Sequence, residues 1–101
     1  MLVVMGEVGL AEGALEAVRE ALVTMEKATR AEAGCLGYAF SVDVSDPTLL
    51  RISERWESLD ALRAHLASPH MASFGRALAK HPPKSMQLKL YEVARELPLP
   101  R

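Results

Sequence analysis

Residues Leu50–Leu78, LRISERWESLDALRAHLASPHMASFGRAL, contain the change of period that decides the fold. Up to Trp56, Leu50, Ile52, Glu54 and Trp56 share one face while Leu49, Arg51, Ser53 and Arg55 share the other. This is the two-residue repeat of a half-buried strand. From Ser58 the repeat lengthens. Ser58 is a suitable N-cap for a helix over Leu59–Ala67, with Leu59, Leu62 and Leu66 turned inward. Ser68-Pro69 restarts the helix, the serine capping and the proline at the first helical position, and Met71, Phe74 and Leu78 form the next stripe. A strand that ends where two helical segments begin brings Glu54, Trp56, His65 and Phe74 toward a single cavity.

Working outward, Ser45-Asp46-Pro47 is turn chemistry, which pairs the strand Thr48–Trp56 with the segment before it as a hairpin. In that segment Leu36, Tyr38, Phe40, Val42 and Val44 alternate with Gly37, Ala39, Ser41 and Asp43, giving one bulky face and one face of small residues. Upstream, Leu15, Val18, Leu22 and Met25 form a single helical stripe from Ala14 onward. Glu12 and Glu16 lie near its positive end, Glu26 and Arg30 make a favourable pair four apart, and Gly34 is placed to stop it. Leu2–Val8 reads as a first strand. Downstream, His81-Pro82-Pro83 ends the last helix and Ser85–Ala94 reads as a last strand, with Met86, Leu88 and Leu90 on one face.

The order β-α-β-β-α-β predicts an α+β fold, the ferredoxin-like split βαβ sandwich with right-handed crossovers. Residues 1–95 are expected to form one domain and 96–101 a C-terminal tail. Helices on one face leave the other sheet face uncovered. Leu49, Val93, Ala39 and Gly37 fall there, so a homodimer through sheet faces is expected.

Composition narrows the function classes. Twelve basic and thirteen acidic side chains leave a net charge of −1 with neither sign gathered into a block, so a nucleic-acid partner is not expected. Cys35 is the single cysteine, which excludes an internal disulfide and a multi-cysteine metal site. No apolar run approaches the roughly 20 residues that span a bilayer, and the opening run is too short for a signal peptide. The expectation is a soluble cytoplasmic protein without a membrane partner.

Glu54, on an apolar strand face, needs a partner or a proton. His65 lies at the edge of the helical stripe. A contact between the two would either move a proton near neutral pH or tie helix to strand as a structural hydrogen bond. Trp56 offers a flat wall for an aromatic ligand or fills the core. Tyr38 and Phe40 continue the lining from the neighbouring strand, and Phe74 adds to it from the helix. No dinucleotide, phosphate-loop, zinc-protease or nucleophile-elbow motif occurs, so no cofactor is expected. His65 and His70 are five apart across a proline and share no helical face, so no metal site is expected either.

The segments ERWES, LDAL, RAH, LASPHM and ASF resemble the antibiotic biosynthesis monooxygenase family of small dimeric α/β-barrel proteins. The matching features are Glu54, Trp56, His65, Ser68-Pro69-His70 and Phe74, with Gly34 and Gly37-Tyr38 leading into the second strand; the resemblance covers roughly residues 2–94. It implies cofactor-independent monooxygenation of a small aromatic substrate of phenolic, anthrone or quinol type. Trp56 and Tyr38 would hold the rings, and His65, supported by Glu54, would handle the proton. Haem-degrading relatives carry an axial histidine where this chain has Gly75, so the resemblance does not extend to haem degradation. The alternative is a non-catalytic or stress-associated dimer that binds a small molecule in the same pocket.

Overall fold

A computed structural model describes residues 1–101. Four strands, β1 (Leu2–Gly9), β2 (Cys35–Asp43), β3 (Asp46–Trp56) and β4 (Ser85–Glu92), form one antiparallel sheet in the order β2-β3-β1-β4. Helices α1 (Ala14–Arg30), α2 (Leu59–Leu66) and α3 (Pro69–Ala79) complete the α+β, ferredoxin-like architecture. No helix is long and apolar enough to cross a membrane.

The stripe of α1 is Ala14, Val18, Leu22, Met25 and Thr29, shifted one position from the expected start because Leu15 is only partly buried. Burying Val18, Leu22 and Met25 contributes about 1.5–3 kcal/mol each. Near its C-terminal end, α1 also grips the outer edge of β2. Glu26 Oε2 accepts the Phe40 backbone N–H at 2.8 Å, and Arg30 Nε donates to the Tyr38 carbonyl at 2.8 Å. An edge strand exposes unpaired backbone groups, and here two of them are taken by one helix.

Register across the sheet separates its two faces. On the helix side run the rows Tyr38–Glu54–Val4–Leu90, Phe40–Ile52–Gly6–Leu88 and Val42–Leu50–Val8–Met86. Two local irregularities correct the expected alternation of β2. A bulge between Cys35 and Gly37 lets Cys35 pair with Trp56 on the core side, leaving Leu36 46% exposed. The hairpin is also tighter than expected. Val44 and Ser45 form the turn, and Asp46 and Pro47 already belong to β3. The Asp43 carboxylate accepts from Ser45, and Asp46 from Thr48, so the acidic side chains stabilise the turn locally. Val44 therefore sits at the tip, fully exposed, rather than on the bulky face.

Helices α2 and α3 begin as their sequence signals require, with Ser58 Oγ accepting from Ala61 N and Ser68 Oγ from Met71 N. Leu62 is the buried leucine of α2, whereas Leu59 is 42% exposed, because eight residues give only two turns of contact with β3. On β4, Met86, Leu88 and Leu90 stay about half exposed. They face the helix side, yet no helix lies over them, and they become the open flank of a cavity.

Candidate functional site

Between the helix-side face of the sheet and helices α2 and α3 lies a cavity of about 590 Å³. Its floor comes from Val4, Val8, Tyr38, Phe40, Leu50, Ile52 and Glu54, and its roof from Leu62, His65, Met71, Phe74 and Leu78. Sixteen of its 21 lining residues are hydrophobic, so a polar ligand would gain little here and a planar apolar one much. Phe40 and Phe74 face each other with ring centroids 5.6 Å apart, and Tyr38 meets Phe40 edge-on at 5.3 Å. These three predicted lining residues do line the cavity.

Trp56 does not. It is 0% exposed and lies behind His65, their ring centroids 4.8 Å apart. The register explains this. Trp56 pairs with Leu2 on one side and Cys35 on the other, one row beyond the cavity floor. Its indole N–H donates to Glu54 Oε1 at 2.9 Å, so it anchors a carboxylate rather than walls a ligand. Burial pushes the Glu54 carboxyl above its ordinary range, against the downward pull of that indole N–H and of the nearby His65. Burial also raises the Tyr38 phenol, helped by Glu54 and Glu32, so Tyr38 offers its hydroxyl as a neutral donor.

His65 is 2% exposed and lines the cavity. Its partner differs from the expected Glu54. Nδ1 lies 2.8 Å from Glu32 Oε2. A carboxylate can only accept, so Nδ1 carries the proton and Nε2 keeps the lone pair free to meet a ligand. Glu32 sits in the turn after α1, fixed by backbone hydrogen bonds from its N–H to Thr29 O at 3.0 Å and from Cys35 N to its own carbonyl at 3.2 Å. Ser68 then couples His65 to α3, its hydroxyl donating to the His65 carbonyl at 2.6 Å. That junction brings His70 beside Glu32 as well, His70 Nε2 lying 3.2 Å from Glu32 Oε1. Glu32, His65 and His70 each offer one donor atom, and these atoms lie within 4.8 Å of one another, so these are the residues able to hold a metal. Sequence spacing missed Glu32 because it lies 33 residues before His65, in a turn whose direction no periodicity reports.

The family model for antibiotic biosynthesis monooxygenases matches residues 1–77. The chain belongs to that family. The curated relatives include the Probable quinol monooxygenase YgiN of Escherichia coli, 38% identical over 55 residues, covering 46% of this chain and 53% of YgiN. The chain therefore spans about half the length of the curated relatives it matches. Among solved structures, a candidate antibiotic biosynthesis monooxygenase from Deinococcus radiodurans superposes with a TM-score of 0.91 at 30% identity over 100% of both chains. A Pseudomonas aeruginosa protein superposes with a TM-score of 0.81 at 29% identity over 92% of this chain and 94% of the other. Family membership thus accounts for a monooxygenase-type scaffold, and the cavity is where this scaffold places its ionisable and aromatic groups.

Proposed function

We propose that this family member is a cofactor-independent monooxygenase whose substrate is a small planar phenol, quinol or anthrone. The observation that carries the reading is the Glu32–His65 pair at the wall of a cavity lined by Tyr38, Phe40 and Phe74. A ring held between Phe40 and Phe74 would present its acidic C–H or O–H to His65 Nε2. The imidazole takes that proton, and Glu32 stabilises the imidazolium that forms. For an anthrone-type CH2, the resulting carbanion reduces O2 and forms a C–O bond. Loss of water, carrying the second oxygen and both hydrogens, leaves the carbonyl. Glu54 keeps the floor polar at one point, with Trp56 behind it. Two copies would pack through their uncovered sheet faces, leaving each cavity built within one chain.

Oxygen uptake with a panel of hydroquinones and anthrones tests this reading. Wild type should turn over at least one of them, and His65→Asn should slow it by roughly 100-fold or more. Equal rates in the variant would remove the imidazole from the chemistry. The cavity's apolar lining supports one other reading, a dimer that holds a small aromatic without converting it. Saturable binding with no oxygen consumed on any substrate would establish that one.

A further inference from the structure

A carboxylate distant in sequence meets two consecutive helices. The turn after α1 supplies Glu32, the last turn of α2 supplies His65, and the first turn of α3 supplies His70. Glu32 Oε2 is engaged by His65, but the second contact is incomplete. His70 Nε2 is buried and makes no hydrogen bond, although Glu32 Oε1 lies 3.2 Å away. A buried nitrogen without a partner is unusual and points to a group that could use its lone pair. Two imidazoles and one carboxylate form a borderline donor set, suited to zinc and its neighbours rather than to magnesium or calcium.

Geometry agrees with the chemistry. Zinc bonds of about 2.0–2.1 Å at tetrahedral angles put ligand atoms about 3.3–3.4 Å apart. The donor atoms here lie within 4.8 Å of one another, with two of the contacts at 2.8 and 3.2 Å. The two short contacts run to different oxygens of Glu32, His65 to Oε2 and His70 to Oε1, and His70 is the less buried of the two imidazoles, so it has the more room to adjust. His70 also lines a separate cleft between α1 and α3, with Glu20, Thr24 and Ser73, which provides a way in from solvent.

We propose that Glu32, His65 and His70 bind one divalent transition cation of the zinc class, at a site that shares only His65 with the aromatic cavity. The proposal needs no reaction and stands whether or not the chain oxygenates anything. It does make a connection to the cavity. A cation on His65 Nδ1 obliges the ring proton onto Nε2, so the metal-loaded imidazole cannot accept a proton from a ligand. Metal loading and proton acceptance would exclude each other in the same molecule, and zinc would act as an inhibitor of any His65-dependent turnover.

The test is calorimetric titration of the chelator-stripped full chain with Zn2+, paralleled by visible absorption with Co2+. The expected result is one saturable site per chain, visible Co2+ bands of low coordination number, and no competition from excess Mg2+. His70→Ala and Glu32→Gln should each weaken binding by at least about tenfold, while Cys35→Ser and His81→Ala should leave it unchanged. His70 sits partly exposed at a helix start, so His70→Ala is expected to fold, and circular dichroism checks it. Absence of a saturable site in wild type overturns the proposal. So does Zn2+ binding that survives both His70→Ala and Glu32→Gln, or that is lost with Cys35→Ser, because the cation would then sit elsewhere.

Discussion

At the scale of single residues, the site rests on which carboxylate each polar group meets. The strand alternation places Glu54 correctly on the helix side, and the helical period places His65 toward the same space. What alternation cannot supply is the partner. Glu54 is taken by the Trp56 indole two residues on, and His65 by a glutamate from a turn. Both assignments depend on directions of side chains across elements, which a one-dimensional pattern does not encode. The buried Glu54 carboxyl has a consequence for stability. Burial raises it above its ordinary value of 4.5, so the folded chain holds that proton more tightly than the unfolded chain does. The associated stability is fully present below about pH 4.5 and is lost as pH rises through the folded-state value. Glu54→Gln keeps an oxygen for the indole but cannot ionise. Denaturation midpoints measured from pH 4 to pH 8 should therefore fall in wild type relative to the variant as pH rises. Parallel profiles would show that the carboxyl carries no burial penalty.

At the scale of elements, the period changes in the sequence locate all four strands and the helices to within a few residues. The errors cluster where the backbone departs from regularity. The β2 bulge shifts Leu36 outward, and the two-residue hairpin pulls Asp46 into β3; both are local rearrangements that leave hydrophobic periodicity almost unaltered. Gly34 is one irregular position whose role is legible, although the helix ends earlier, at Arg30. It has φ +81, and a Cβ there would lie 2.6 Å from the Ala61 Cβ on α2. Gly13 has a similar φ of +78 with no atom within 4 Å of such a Cβ. Gly13→Ala should cost about 1–2 kcal/mol from backbone conformation alone. Gly34→Ala should cost clearly more, because α2 must move and takes His65 with it. Urea denaturation of the two variants, side by side, checks this. Equal losses would mean that the turn and α2 are not in contact at that point.

At the scale of the whole molecule, the two faces of the sheet differ in what covers them. The helix side holds the cavity, open along β4, and the other side carries no helix at all. Across that free face one row runs Ala39–Ser53–Met5–Lys89, with Val3 and Tyr91 in the next row. Met5 is 58% exposed and Tyr91 47%. Apolar side chains at the middle of an uncovered sheet lose contact with water when a second identical face covers them, and a two-fold axis lets one patch serve both copies. The prediction is a dimer by sedimentation velocity at tens of micromolar chain. A charge at the centre of the face should break it, because two like charges would be desolvated against each other. Met5→Arg and Ala39→Arg should each sediment as monomers. Neither side chain touches the cavity side, so the circular dichroism spectrum and the affinity for an aromatic ligand should be retained. A wild-type monomer at that concentration would overturn the sheet-face interface, as would a dimer that tolerates both arginines. A monomeric variant that still binds its aromatic would show that the cavity does not need the second copy.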